Sequence, residues 1–462
     1  MNFFEGAKKV TLEEVLAFRE EKNRRQNALL KQFSFPLLSL GLNMPGEYKH
    51  FFLAGCSFRE EINAVKRTLE TEKIPVIHEE SFEDAGGFTC FILVNALPEK
   101  CKELSSYIED SHPLGRLFDI DVLKPDGTKI SRRDSGKGGR KCLICSGDAF
   151  VCGRSRTHDA SELANAAVKI MVRFRRDQLA DLAAGTALRA LLSEAAITPK
   201  PGLVDRANNG AHRDMNFFSF IDSTAAIIPY FRFCALAGFD SAADPPALFD
   251  SLRPAGKTAE REMLAATGGA NTHRGLIFSI GLASAAFGFF FRQKEKITAE
   301  ELLEFIASMT RRISGDFNAE NDLSHGEAIH KRYGIGGIRE EAKQGFPAVR
   351  DYALPVLRRA LSTGRSLNEA GLEVFFNLLT VVTDTNIIHR SGTEALEKIQ
   401  NDTKTFLAAK PEPPVMAEYA AQLDTEFIEK NISPGGCADL LALSFFLYWV
   451  TNTAPSLPSS FL

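Results

Sequence analysis

Apolar positions follow two different spacings along the chain, and the change comes near residue 180. Before it, short apolar runs typical of strands alternate with segments of helical spacing. Thr11 and Glu14 form a capping-box pattern that predicts a helix to about Leu30. The further predicted strands are 36–42, 74–78, 88–95 and 116–123, with a hairpin turn at 124–127, and the further predicted helices are 58–72 and 97–109. We therefore expect residues 1–180 to form a mixed α/β domain.

Helical spacing predominates after Asp159. Asp159 and Glu162 predict the start of a helix that runs to about Leu182, and Gly185 is expected to separate it from a helix at 186–196. The remaining predicted helices are 223–237, 257–266, 276–291, 299–314, 350–362, 367–382, 393–408, 415–429 and 438–450. The predicted fold is thus two-domain, with an all-α helical domain at 181–462 that carries its chemistry on the loops between helices.

Composition narrows the class of protein. Of the 462 residues, 44% are hydrophobic and 25% are charged, which is typical of a soluble globular protein, and the net charge of −4 gives no sign of nucleic-acid binding. The apolar runs 276–291 and 438–450 fall short of the ~20 residues that span a bilayer. The N-terminus lacks a secretory pattern. In a chain without a secretory signal, eight Cys favour free thiols or a metal site over disulfides. We expect a cytoplasmic protein that binds neither membrane nor nucleic acid.

Two carboxylates lie two residues apart in the predicted strand 116–123. Asp119 and Asp121 would share one face of that strand, because side chains alternate with a period of two. Such a pair can bind Mg²⁺ together with a phosphate-bearing substrate, although two solvated acids on an exposed strand remain the alternative. A basic cluster nearby in sequence predicts an anion-binding surface, with a solvated loop as its alternative: Arg132, Arg133, Lys137, Arg140, Lys141, Arg154 and Arg156.

Three cysteines and one histidine follow within this basic segment. Cys142, Cys145, Cys152 and His158 offer three thiolates and one imidazole, which is a ligand set of structural zinc sites. Their spacing is tighter than that of the usual two-knuckle pattern. Zinc binding is one interpretation, and a set of buried thiols with a histidine near a helix start is the other.

Two glycine-containing loops in the second half, 199–215 and 267–275, concentrate polar and charged residues. Glycine lets a backbone approach a ligand closely, and the second loop runs directly into an apolar helix, whose free N–H groups suit a phosphate. The residues of these loops that could contact a ligand are Lys200, Asp205, His212, Asp214, Gly268, Gly269, Asn271, His273 and Arg274.

These loops and three later segments, 333–342, 384–390 and 433–440, resemble the triphosphoribosyl-dephospho-CoA synthase family, which contributes to the prosthetic group of citrate lyase. The resemblance covers about residues 180–455. It implies that ATP loses adenine and that the 2′-hydroxyl of 3′-dephospho-CoA attacks ribose C1. The implied metal or base candidates are Asp205, Asp214, Glu341 and Asp384, with Mg²⁺ at Asp214 and Asp384; the implied substrate-binding residues are Lys200, His212, Gly268, Gly269, Asn271, His273, Arg274 and Asn386.

The chain departs from that family pattern at three positions: Arg274 replaces an expected Lys, Glu340 an expected Gly, and Ser391 an expected Gly. Arginine keeps the charge of lysine but changes the geometry. A second carboxylate beside Glu341 leaves open which of the two acids acts. For Asp384 and Asp439, a simple helix N-cap is the alternative to a catalytic role.

The first half resembles the citrate lyase holo-acyl-carrier-protein synthase family over about residues 15–175. The resemblance rests on residues 43–49, the Asp119–Asp121 pair, Arg132 and the segment 140–162. It implies a nucleotidyltransferase-like fold that transfers the phosphoribosyl-dephospho-CoA group to a Ser of the apo citrate lyase acyl carrier protein and releases pyrophosphate. Asp119 and Asp121 would then bind catalytic Mg²⁺, and Arg116, Arg132 and Arg140 would bind the donor.

Together, the two resemblances predict a fused, bifunctional enzyme in which one half consumes the product of the other. Two alternatives stay open. The second half could be a metal-dependent hydrolase of ADP-ribose-like N-glycosides, in which water replaces the ribose hydroxyl. The chain could also be a carrier-protein accessory factor without catalysis, and its carboxylates and basic cluster would then be ordinary surface features.

Overall fold

The structure is a computed structural model that describes Phe4 and residues 7–132, 138–242, 244–313 and 336–452. Arg133 and Lys137 of the basic cluster and residues 333–335 of the third synthase segment lie outside the described residues. The chain divides into two compact units between Asp177 and Gln178. The molecule is mostly helical, with one small antiparallel sheet.

The first unit alternates helices with short strands. The capping box at Thr11 is confirmed, since its side chain accepts from Glu14 N while Glu14 accepts from Thr11 N. The elements are α1 (Leu12–Phe33), β1 (Leu37–Leu40), α2 (Phe52–Thr71), β2 (Val76–Asp84), β3 (Gly87–Val94), α3 (Pro98–Ser111), β4 (Asp121–Leu123), β5 (Lys129–Ile130), α4 (Ala149–Ser155) and α5 (Ala160–Ala196), which continues into the second unit.

The sheet has the order β2-β3-β1-β4-β5, and every pairing is antiparallel. β1 and β3 are buried along their whole length, which explains why both consist mostly of apolar residues and do not alternate with polar ones. Leu38 and Leu40 pack toward α2, α3 and α5, whereas Leu37 packs toward Leu29 and Leu30 of α1. The two faces of the sheet are thus covered by different helices.

The prediction of one strand over 116–123 is wrong for its first five residues. Phe118 N donates to Gly115 O, which closes a turn, and only Asp121–Leu123 pairs as a strand. Asp119 lies between the turn and the strand, where its N–H donates to Gly41 O. The hairpin at 124–127 is confirmed, with Gly127 at φ +86°.

The described elements of the second unit are helices: the C-terminal part of α5, α6 (Phe217–Asp240), α7 (Pro245–Ala266), α8 (Arg274–Phe291), α9 (Ala299–Thr310), α10 (Gly337–Lys343), a π-helical turn (Ala348–Ala353), α11 (Leu354–Ser362), α12 (Leu367–Leu379), α13 (Thr385–Ala408), α14 (Pro413–Glu429) and α15 (Gly435–Asn452). The predicted break at Gly185 is wrong, because α5 runs through it. Ala183 and Ala187 are fully buried there, and this packing outweighs the cost of about 1 kcal/mol for a helical glycine.

The helices α6 and α8 are long and apolar enough to cross a membrane by length and composition, so the expectation that the apolar run 276–291 is too short needs correction. Several of their apolar side chains are nevertheless buried inside the unit. Ile227 and Phe231 of α6 and Ile280 of α8 are fully buried. Gly238 and Gly288 let the two helices approach closely, because a β-carbon at either would collide with the partner's backbone. This packing is that of core helices.

Candidate active sites

The motif-bearing segments of the second unit contact one another through their polar residues. His212 Nε2 lies 2.8 Å from Ser433 Oγ, which joins the loop 199–215 to the start of α15. Arg390, on α13, donates to the carbonyl of Ala211 in the same loop at 3.2 Å. Segments that are about 180 to 220 residues apart in sequence thus meet in one place.

Two glycines bring the remaining segments to the same place. A β-carbon at Gly275 would lie 1.9 Å from Asp439 Oδ2, so the start of α8 packs directly on α15. A β-carbon at Gly337 would lie 3.1 Å from Thr385 Cγ2, so the start of α10 reaches the start of α13. The N-termini of α8, α10, α13 and α15 therefore lie close together, and helix N-termini attract phosphate.

Asp205 is buried inside the loop 199–215 and holds its shape. Its carboxylate accepts backbone N–H groups from Lys200 at 2.9 Å, Ala207 at 2.6 Å and Asn208 at 3.1 Å. Asp424 on α14 does the same from outside, because it accepts from Gly202 N and Asn208 Nδ2. Sequence reasoning missed Asp424, since nothing in its local pattern connects it to a loop more than 200 residues away.

Lys200 is 1% exposed, and its ammonium group faces the protein interior. It donates to the carboxylate of Glu194 and, at 2.8 Å, to the Glu194 carbonyl. Burial raises the pKa of Glu194, and Lys200 opposes that shift. This closed pair makes Lys200 part of the buried frame of the site.

His273 is fully buried at the position before α8. Thr272 donates to Ser223 Oγ, and the Ser223 hydroxyl bonds His273 Nδ1, each at 2.7 Å. The other ring nitrogen, Nε2, is buried and has no hydrogen-bond partner among the described residues. Burial and the nearby Lys200 lower the pKa of His273 to about 3, so the imidazole is neutral at physiological pH.

The other predicted ligand-binding residues of this loop are more open. Gly268 and Gly269 have φ of +66° and +100°, with nothing within 4 Å of a β-carbon at either. Asn271 is exposed, and its side chain accepts from Arg274 N at 3.3 Å. Arg274 Nε lies 3.5 Å from Glu260 Oε2. The loop thus presents backbone and an arginine at the N-terminus of α8.

His212 and Asp214 lie at the rim of the site. Burial and the positive charge of Arg390 lower the pKa of His212, while Asp214 opposes that shift. Asp214 is 64% exposed, and its Oδ1 lies 3.9 Å from His212 Nδ1. Its carboxylate is therefore accessible to a cation from solvent.

Asp384 is an N-cap, as the alternative proposed, and it also bridges two helices. Its Oδ1 accepts from Asn386 N and Ile387 N of α13, and its Oδ2 accepts from Cys437 N of α15 at 3.0 Å. Burial raises its pKa against these N–H groups. Asn386 packs on Gly435, where a β-carbon would lie 2.7 Å from Nδ2.

Asp439 is a further carboxylate of this site, and its surroundings could not be predicted from the sequence. The N-cap interpretation is wrong for it, because α15 begins at Gly435 and Asp439 lies inside the helix. Its side chain makes no hydrogen bond or ion pair to any part of the chain that the structure describes. Burial, Glu194 and Asp384 raise its pKa well above the usual range. Asp439 is thus a half-buried acid beside the start of α8 that has no partner among the described residues.

The two neighbouring acids of α10 differ in their surroundings. Glu341 is half-buried, accepts from Ala348 N at 3.2 Å, and has a pKa raised by burial. Glu340 is exposed and accepts from Gln344 Nε2 at 2.8 Å. Burial therefore distinguishes Glu341 from Glu340.

The first unit contains a separate cleft of about 650 Å³, lined by Arg116, Arg132, Arg140, Glu109, Cys142, Cys152 and His158 among others. The buried Glu109 binds both Arg132, at 2.7 Å, and Arg140. Arg116 donates to the carbonyls of Lys141 and Cys142. The three predicted donor-binding arginines are thus brought together, and Glu109 is an organising residue that sequence reasoning missed.

Asp119 and Asp121 do not share a strand face, because Asp119 lies outside β4. Asp119 is 45% exposed, with Oδ1 3.7 Å from Arg140 Nη2, and its N–H donates to the buried Glu61. Asp121 pairs with Lys129 on β5 at 2.6 Å. Asp119 is therefore the acid that lies beside the arginines of the cleft.

The predicted zinc ligands also come together. The candidate ligand atoms of Cys142, Cys145, Cys152 and His158 all lie within 4.8 Å of one another. The interpretation as buried thiols is wrong for Cys145, which is exposed, and for Cys152, which is partly exposed.

Comparison with known proteins agrees with this division into two sites. A family model described as ATP:dephospho-CoA triphosphoribosyl transferase matches residues 180–456. A second, described as apo-citrate lyase phosphoribosyl-dephospho-CoA transferase, matches residues 10–174. The protein named CitXG of Leuconostoc mesenteroides subsp. cremoris is 33% identical over 97% of this chain and 98% of its own length.

The chain belongs to the CitXG family of fused transferases. CitXG of Haemophilus influenzae is 30% identical, over 96% of this chain and 96% of its own length. The 2-(5''-triphosphoribosyl)-3'-dephosphocoenzyme-A synthase of Pectobacterium atrosepticum is 39% identical over 56% of this chain and 86% of its length. Both parts belong to transferase families, so the expectation of a bifunctional enzyme of citrate lyase prosthetic-group synthesis is confirmed.

Proposed function

We propose that the all-α second unit joins ATP to 3′-dephospho-CoA at the place where the N-termini of α8, α10, α13 and α15 meet. The observation that carries the proposal is the carboxyl group of Asp439, which lies against Gly275 and has no partner in the part of the chain that the structure describes. An unpaired acid of raised pKa at a group of helix N-termini is suited to proton transfer or to binding a cation next to phosphate.

The reaction breaks the bond between ribose C1 and adenine and forms a bond from C1 to the 2′-oxygen of dephospho-CoA. The proton of that hydroxyl must finish on adenine, so the site needs a group that accepts one proton and returns it. Asp439 and Glu341 have raised pKa values and suit this role.

Mg²⁺ would neutralise the triphosphate, since this ion binds through one or two carboxylates together with phosphate oxygens. The exposed Asp214 can take part without losing a partner. Asp384, the other predicted ligand, already accepts N–H groups from two helices with both oxygens, so its main contribution is to fix those helix starts. Arg274 and the open backbone of Gly268 and Gly269 would hold the outer phosphates.

For the first unit we propose a nucleotidyltransferase-like domain that transfers the product to a Ser of the apo citrate lyase acyl carrier protein. The Ser oxygen would attack phosphorus while the bond to pyrophosphate breaks and the Ser proton leaves to solvent. Arg116, Arg132 and Arg140 line the cleft where the leaving pyrophosphate would lie. Asp119 and Asp121 would bind Mg²⁺ once Asp121 exchanges its pairing with Lys129. We place both reactions in the cytoplasm.

The test uses the full-length chain and two assays: adenine release from ATP, and labelling of apo carrier protein. Asp439→Asn should stop adenine release, yet the variant should still label the carrier when supplied with purified donor. Asp119→Asn should do the reverse. Adenine release by the wild type at the same rate without dephospho-CoA would instead identify the second unit as an N-glycoside hydrolase, and a wild type that neither releases adenine nor labels the carrier would favour an accessory factor.

A further inference from the structure

We propose that Cys142, Cys145, Cys152 and His158 bind one zinc ion, and that this ion holds residues 138–158 in place as a wall of the cleft in the first unit. The metal site itself is independent of the proposed function. Its consequence for carrier labelling rests on that function.

The geometry of the four side chains suits a tetrahedral metal. Their ligand atoms lie within 4.8 Å of one another, and Cys145 Sγ lies 3.4 Å from Cys152 Sγ. Ile144 N donates to Cys142 Sγ at 3.5 Å, which leaves the sulfur's other lone pairs for a metal. The Nε2 atom of His158 is buried and has no hydrogen-bond partner within the described ranges. A buried, unpartnered imidazole nitrogen next to three thiols is explained by a fourth ligand bond.

The segment 138–158 lacks the apolar core that would otherwise hold it. Cys142 is its one buried residue, and α4 buries none of its side chains. Phe150 and Val151 are 71% and 60% exposed. Apart from the bridge between Lys141 and Asp148, the segment has little regular pairing. Short segments that cannot bury enough apolar surface are commonly stabilised by a structural metal, whose binding energy becomes folding energy.

Four protein ligands complete the coordination of zinc, so the ion would be structural and would leave no position for substrate. Its effect on the cleft is indirect. The wall carries Arg140, which binds Glu109, and the carbonyl groups of Lys141 and Cys142, to which Arg116 donates. Loss of the ion would release these contacts and would leave Arg116 and Arg140 without fixed positions.

The first experiment is independent of activity. Full-length protein purified without chelators should contain about one zinc per chain, and cobalt exchanged into it should show the visible absorption bands of tetrahedral thiolate coordination. Cys145→Ser and His158→Gln should each lose most of the metal. Cys56→Ser, which alters a cysteine outside the cluster, should retain it. Folded protein with neither zinc nor the cobalt bands would overturn the proposal, as would an intact mass that shows a Cys145–Cys152 disulfide.

The second experiment measures the consequence. Wild type that has been stripped of zinc with a chelator, freed of the chelator and then assayed with Mg²⁺ should lose carrier labelling and keep adenine release, and added zinc should restore labelling. The unchanged adenine release also shows that the treatment has not unfolded the whole chain. Full labelling by metal-free protein would refute the role of zinc in the cleft. Zinc-loaded wild type that never labels the carrier would instead refute the proposed transfer function and leave the metal site standing.

Discussion

The buried pair of Lys200 and Glu194 gives the sharpest test of how the second unit is held together. Lys200→Met removes the ammonium group and keeps a side chain of similar length. Glu194 then remains almost fully buried without the cation that neutralises it. We expect a large loss of stability from the single variant, because breaking one side of a buried ion pair costs about 3–5 kcal/mol.

The loss of stability in the Lys200→Met variant can be calculated from the free energy that Glu194 needs to bind a proton. A carboxyl group with an unfolded pKa of about 4.3 needs roughly 3.7 kcal/mol to be protonated at pH 7, at about 1.36 kcal/mol per pH unit. At pH 5.5 the same step needs roughly 1.6 kcal/mol. The folded variant binds the extra proton, so its stability falls as pH rises above the unfolded pKa. The difference from wild type should therefore shrink by up to about 2 kcal/mol between pH 7 and pH 5.5, since burial already raises the pKa of Glu194 in the wild type.

Trp449 makes the second unit separately measurable. It is the one Trp in the sequence, and it lies on α15, nearly buried, stacked on Phe445 with the guanidinium group of Arg189 over its ring at 3.9 Å. Its fluorescence therefore reports unfolding of the second unit. Urea titrations at the two pH values would give the free energies, and Lys404→Met, at an exposed position on α13, is the matched control.

Two results would refute this reasoning. One is a Lys200→Met variant whose free energy of unfolding lies within about 0.5 kcal/mol of the wild-type value, which is the range of ordinary surface substitutions. The other is a stability difference that does not change with pH. The double variant Glu194→Gln with Lys200→Met should recover most of the loss, because no unpaired charge remains.

Further predictions concern the sites. Asp439→Asn should lower kcat for adenine release at least about 100-fold, the usual contribution of a proton-transfer group, and should remove its limb of the pH–rate profile; an unchanged profile would argue against it. Gly275→Ala should abolish adenine release but not carrier labelling, because its β-carbon would collide with Asp439. Arg140→Gln should weaken carrier labelling in steady-state assays and leave adenine release intact. The pKa of His273 is lowered to about 3 in the folded protein, so the unfolded chain binds this proton more readily than the folded one. The free energy of unfolding of the second unit should therefore fall by up to about 1.4 kcal/mol per pH unit as pH drops below about 6.5. His273→Gln should remove this pH dependence from unfolding curves followed by Trp449 fluorescence.

The sequence determined the features that depend on near neighbours. The capping box at Thr11 and the hairpin at 124–127 formed as predicted, because their hydrogen bonds connect residues within four positions of one another. The zinc candidates could also be identified, since Cys142 and Cys145 lie on one tight turn. The family resemblances rested on such local segments, and the comparisons confirm them.

Tertiary structure decided which polar groups are exposed and which are buried and paired inside the fold. Lys200 reads as a triphosphate ligand in sequence, but the end of α5 provides Glu194 to bury it. Asp119 lies outside the strand in which it was predicted, because the chain forms a turn at Gly115–Phe118 directly before it. The groups that surround Asp424 and Asp439 come from segments far away along the chain. Burial and pairing depend on contacts between distant segments, and residue type and spacing alone do not specify them.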